Sequence, residues 1–186
     1  MRVFVVTPPA PVVTLEEAKR HLRVDGGDED VLVQAYIDAA TGHIDGPDGW
    51  LGRAIGKQVL EARFGSGCGA SVRLPYPPFI ELVSVSYLDA DGVEQMADLG
   101  DLEAMGSDLL PASGNWPWSA GTLRRDGVRV RYRAGYEVVP GPLRAAILLM
   151  VGDLYRNRET VAATAMNAVS MSTSVENLLA PFRVYT

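Results

Sequence analysis

The chain has 186 residues, 47% of them hydrophobic, a formal net charge of -6 at pH 7 and one cysteine. Its length suits one compact domain or a core carrying a sizeable insertion. The charge argues against a protein that grips nucleic acid through a general basic surface, and Cys68 alone cannot close an intramolecular disulfide. Val3 to Val6 is too short for a signal-peptide core and runs into Pro8, Pro9 and Pro11, so the reading is a cytoplasmic origin without an export signal. The apolar centre of 140–159 is too short for a membrane span and contains Arg144 and Asp153.

Residues 1–13 read as an extended arm, because their prolines remove backbone donors and disfavour helix. Thr14 with Glu17 fits a capping box, and Leu15, Ala18 and Leu22 supply a short apolar stripe that should end before Gly26 and Gly27. A second helix is expected from near Asp28, with Leu32, Tyr36 and Ala39 in one row and Val33, Ile37, Ala40 and Ile44 in the next. From Ile55 to Ala134 the period changes to that of strands, with Ile80 to Leu88 rich in branched and aromatic residues. Asp89 to Gly92 predicts a turn into a strand near Val93 to Met96, and Val128 to Tyr132 alternates apolar residues with arginine. Between them 97–123 has no legible period, only loop-forming prolines and glycines with Trp116 and Trp118 as anchors.

The stretch Pro140 to Glu159 predicts one long helix, with proline at its start where an N-H is not needed. Leu143, Ile147, Met150, Val151 and Leu154 form one apolar face, and Leu148, Leu149 and Tyr155 form a second side that requires another neighbour. Residues 160–173 read as a linker, 175–179 as a short helix, and Phe182 to Tyr185 as an aromatic end that needs something to receive it. The predicted fold class is α+β, with a helical core (the N-terminal helix pair plus helix 140–159), a β-rich insertion and a C-terminal arm. The corresponding domains are the arm 1–13, the helical core 14–46 and 135–159, the insertion 47–134, and the linker and arm 160–186.

No motif points to catalysis, a cofactor or a metal. The glycine run Gly65 to Gly69 lacks the strand-to-helix context of a dinucleotide fingerprint and reads as a hairpin loop. Asp25, Asp28, Glu29 and Asp30 lack calcium-loop spacing, and helix capping accounts for them. His21 and His43 have no ligand partner at metal spacing. Arg124, Arg125, Arg129, Arg131 and Arg133 concentrate positive charge. They fit either a solvated strand face set across from acids or a contact with phosphate or a neighbouring subunit.

Three blocks together resemble tailed-phage head-tail connector proteins, the adaptor or head-completion family also found in phage-derived gene transfer agents. They are Leu15-Glu16-Glu17-Ala18-Lys19 through Asp25 with Tyr36-Ile37-Asp38-Ala39-Ala40; Leu74-Pro75-Tyr76-Pro77-Pro78 with Val83 to Tyr87 and Asp91-Gly92; and Tyr132-Arg133-Ala134-Gly135-Tyr136, Val139-Pro140 and Leu154-Tyr155-Arg156-Asn157-Arg158-Glu159. The ending Leu178-Leu179-Ala180-Pro181-Phe182-Arg183 is similar to that family's C-terminal block, with Phe182 in place of tyrosine.

The resemblance implies a non-enzymatic virion protein at the head-tail junction, made in the bacterial cytoplasm. It would form a ring, commonly of twelve copies, between the capsid portal and the next tail component, and let double-stranded DNA pass without specific binding. It also implies portal contact through Leu178, Leu179, Pro181, Phe182, Arg183, Val184 and Tyr185. Leu148, Leu149 and Tyr155 on the long helix, with Arg129, Arg131 and Arg133, are the candidates for contact between subunits. No cofactor is expected. Two other readings stay open, a small-ligand or enzymatic domain with a pocket between the 65–69 loop and the tryptophans, and a tail-side interaction module.

Overall fold

The computed structural model describes residues 1–67, 69–118, 124–157 and 171–185. They form two compact units, one from Met1–Ala10 and Arg53–Glu137, the other from Pro11–Gly52 and Val138 onward. The first contains eight strands: β1 Arg2–Thr7, β2 Gln58–Phe64, β3 Val72–Arg73, β4 Phe79–Leu88, β5 Glu94–Met96, β6 Leu102–Met105, β7 Asp108–Pro111 and β8 Val128–Ala134. A five-stranded sheet runs in the order β1-β2-β8-β4-β5 and a three-stranded sheet in the order β3-β7-β6, every pair antiparallel.

Alternation decides which side of the large sheet is dry. Leu60, Ala62 and Phe64 on β2 and Val128, Val130, Tyr132 and Ala134 on β8 are buried in one cluster, joined by Val85 from β4 and by Val72, Leu102 and Leu109 from the small sheet. Trp116 and Trp118 fill its centre from a loop, their rings stacked at 4.8 Å between centroids. Phe64 and Tyr87 pack against Trp118, and Phe79 stacks on Tyr132. The Tyr132 hydroxyl donates to the Pro75 carbonyl at 2.7 Å; burial, and after it Tyr76, push its phenol pKa upward, so it serves as a neutral donor.

The sheet is closed at one end by two backbone crossings. Gly135 N-H donates to the Pro78 carbonyl and Tyr136 N-H to the Ile55 carbonyl. Gly135 has φ 120°, and a Cβ there would lie 2.4 Å from the Gly56 carbonyl oxygen, so glycine is required by conformation and by space. At the other end the Asp89 carboxylate accepts from Gln95 Nε2 and from the Val93 and Asp91 N-H groups. Those bonds, led by Gln95, hold its pKa below the usual value, and Gly92 at φ 81° completes the turn.

The second unit is helical: α1 Leu15–Leu22, α2 Asp30–Ile44, α3 Gly141–Arg156 and α4 Thr173–Leu179. Its buried residues are Ala18 on α1, Val33, Ile37, Ala40 and Ile44 on α2, Leu143, Ala146, Ile147, Val151 and Gly152 on α3, and Val175 and Leu179 on α4. Thr14 caps α1 by accepting from Glu17 N-H at 3.2 Å. The Glu17 carboxylate does not return to complete a capping box; it takes both bonds from Arg144 Nη2 on α3. Lys19 bonds the Gly26 carbonyl and Asp30, each at 2.5 Å, tying the turn between α1 and α2; the Asp30 bond is the main cause of its raised pKa.

The expected helical core is therefore overturned: among the described residues eight strands in two antiparallel sheets make a sheet-rich body, and 31% of those residues are helical. The reason lies in particular residues. Arg2–Thr7, which the following prolines make look like a free arm, is a strand paired along β2. The large aromatic residues at the heart of the sheet cluster come from a loop, where periodicity carries no signal. The expected linker at 160–173 lies mostly outside the described residues, and so does Cys68.

Gly135→Ala should lower unfolding free energy by about 3 kcal/mol, the scale for a side chain forced into a special backbone position. Urea denaturation followed by circular dichroism measures it; a loss under about 0.5 kcal/mol, the level of a neutral surface change, would contradict the crossing.

Candidate assembly surfaces

The arginines of β8 lie on the solvated face of the five-stranded sheet, each paired with a glutamate of another strand of that sheet. Arg129 pairs with Glu94 on β5 at 3.3 Å, Arg131 with Glu61 on β2 at 2.6 Å, and Arg133 with Glu81 on β4. Glu61 is shared, since Arg63 also reaches it at 2.6 Å. Its side chain is only 3% exposed. Burial pushes its carboxyl upward, but the hydrogen bonds and charges of Arg131 and Arg63 outweigh that and hold it below the usual carboxylate range. Arg63 also lies over the Phe4 ring, 4.5 Å from its centroid. The strand face is thus set across from acids within its own sheet.

On α3, Leu148 and Leu149 are half-buried. Tyr155, also half-buried, meets the edge of Tyr36 at 6.5 Å and donates to the Glu29 carboxylate. Tyr155 thus has partners inside its own unit, and Glu29 of the acidic group at 25–30 is one of them.

The C-terminal candidates divide in two. Leu179 is fully buried and, with Val175, fixes α4. Each such aliphatic side chain contributes about 1.5–3 kcal/mol on burial, which a helix too short to stand alone requires. Leu178 and Phe182 are half-buried and Pro181 is exposed. Beyond them the chain lies along the segment 50–52: Val184 N-H donates to the Leu51 carbonyl at 2.9 Å, and the Arg183 guanidinium sits 4.0 Å from the Trp50 ring centre and 4.9 Å from that of Tyr185. Gly52, at φ 62°, admits the Val184 carbonyl where a Cβ would meet it at 2.7 Å. Tyr185 remains 81% exposed. No local signal marks this seat, because Trp50 to Gly52 belong to a loop far away in the chain.

The tryptophans offered as a ligand wall are core residues. Trp118 is fully buried, and the Trp116 indole N-H donates to the Gly69 carbonyl at 2.7 Å, so it clasps the glycine loop. Among the described residues no group of three or more His, Cys, Asp and Glu is placed to hold a metal, and no helix is long and apolar enough to cross a membrane.

Residues 12–71 match the family model described as phage gp6-like head-tail connector protein. The resemblance to head-tail connectors is borne out. Three solved structures share the fold of the whole chain, each covering 100% of it and 97% of their own chain. They come from the neck of an empty GTA particle computed with C6 symmetry (TM-score 0.75, 21% identity), the virion of a native gene transfer agent particle (0.76, 20%) and the neck of a native GTA particle computed with C12 symmetry (0.71, 18%). No curated protein matches the sequence. The connector family is structural rather than enzymatic.

The shared carboxylate of Glu61 makes a pH prediction. Its folded pKa lies below its unfolded value near 4.5, so its stabilisation is complete above that pH and is lost as pH falls through the folded pKa. Glu61→Gln should cost about 2 kcal/mol at pH 7, leaving two arginines sharing a neutral amide. Thermal melts from pH 7 to pH 3 should show the gap between wild type and variant narrowing in acid; a constant gap would count against the shared pair.

Proposed function

We propose that the protein is a structural connector of a phage or gene-transfer-agent particle, acting at the head-tail junction as a ring that links the capsid portal to the next tail component. The observation that carries this reading is a full-length fold match, at TM-score 0.75 and 97% of the other chain, to a protein in the neck of such a particle. The connector family match over 12–71 supports it from sequence. The C6 and C12 symmetry of the neck structures supports a ring of copies, twelve being the number we favour.

The chemistry of the chain suits that work. A net charge of -6 gives a channel wall little affinity for phosphate, so double-stranded DNA passes without being held. The arm that meets the portal is the end of the chain. Val175 and Leu179 anchor α4 to its own unit, while Pro181 to Tyr185 present proline, aromatic and arginine surface beyond the anchor. Leu148 and Leu149, half-buried on α3, are further candidates for subunit contact.

Electron microscopy of particles carrying a labelled copy tests the location, and label found away from the neck would overturn the reading. Deleting 183–186 should shift the melting temperature by no more than a few degrees, since the anchor residues remain, yet reduce incorporation into particles at least tenfold. Incorporation at the wild-type level would remove the portal role from this end.

A further inference from the structure

Ring closure needs two different patches on one subunit, and the large sheet has two different edges. Among the described residues, β1 and β5 each pair on one side only. Most of the exposed large apolar residues of this unit lie at those edges: Phe4, Val5 and Val6, 43 to 46% exposed, on β1, and Val93, Met96 and Leu99, 38 to 66% exposed, on and beside β5; Val83 on β4 and Met105 on β6 lie away from them. The edges also differ in charge. By β1, Arg63 and Arg131 share the single carboxylate of Glu61 while Arg2 faces Asp126 at 3.6 Å, which leaves positive charge in excess. By β5, Asp91, Glu94, Asp98 and Asp101 outnumber Arg129 and Arg124.

We infer that the β1 edge of one copy docks on the β5 edge of the next, a contact that rests on the ring reading above. An exposed apolar strand edge is a ready template for pairing with another chain, and proteins that do not use such an edge blunt it. Here the register shift between Val5 and Thr7 and the prolines after it confine the usable edge to Arg2 through Val5. The partner edge at Glu94–Met96 is similarly short. Two short edges of opposite charge, one apolar from Val3 to Val5 and the other flanked by Val93 and Met96, give a contact with fixed direction. A contact between unlike patches repeats head to tail, and it closes where the rotation allows.

The test uses the full chain and two double variants at exposed positions, Arg2→Glu with Val5→Glu on one edge and Met96→Lys with Asp101→Lys on the other. Circular dichroism melts check that each folds as the wild type does. Sedimentation velocity and negative-stain microscopy then measure association; if copies associate only in assembled necks, copies per neck are counted instead. Each variant alone should associate at least tenfold more weakly than wild type. A mixture should form a complex of one of each and stop there, because each contributes one intact edge. Wild-type-like rings from either folded variant would overturn this contact and leave the ring reading standing. A mixture no better than its components would also overturn it, as would dimers formed by the β5 variant alone, which would indicate β1 pairing with itself. A wild type present as a single copy in the neck would overturn the ring reading and this contact with it.

Discussion

Neutralisation of the β8 arginines by glutamates on other strands of the same sheet allows the five-stranded sheet to keep one face dry and the other wet. Arg129, Arg131 and Arg133 stand two residues apart on a central strand, where like charges on one face would repel. Glu94, Glu61 and Glu81, drawn from three different strands, turn that row into a cross-strand ladder. Exposed pairs of this kind add little individually, and Glu61 is the exception because its carboxylate is buried and shared. With the wet face satisfied internally and the other face filled by Tyr132, Trp118 and their neighbours, the sheet's unsatisfied backbone lies at its edges.

The helical unit handles apolar surface differently. Its long helix has more apolar surface than α1 and α2 cover, and α4 covers part of the remainder through Val175 and Leu179. Tyr155, which in sequence looks like a spare aromatic, is used against Tyr36 and Glu29. The requirement for a second neighbour is met in part by the chain's own C-terminus. Leu148 and Leu149 remain half-buried on α3, and so do Met150 and Leu154 of the face expected to be buried.

The legible parts were those whose signal is local. The row Val33, Ile37, Ala40 and Ile44 is the buried stripe of α2, and the Asp89 to Gly92 turn leads into β5, because helix periodicity and turn chemistry need no distant partner. The capping box was half right: Thr14 caps, while Glu17 is drawn to Arg144, more than a hundred residues away in sequence. Trp116, Trp118 and the seat at Trp50 to Gly52 could not be placed, since loop residues acquire their role from tertiary neighbours alone. The same limit hides the core: the alternation of Val128 to Tyr132 is legible, but not that this strand shares a cluster with β2 and with a small sheet reached through loops.

On the proposed reading, the two kinds of surface divide the labour of assembly. The wet face of the sheet carries arginines at high density yet offers little free charge, because its carboxylates are already in place, so it is poorly suited to holding phosphate or a partner. The C-terminal end is the converse, with Arg183 held between two aromatic rings and Tyr185 still exposed. An arginine stacked on aromatics keeps its guanidinium edge available for planar hydrogen bonding, which suits directional recognition better than general attraction. Contacts confined to edges and ends leave both packed cores undisturbed as copies join. A subunit built this way can fold before it assembles.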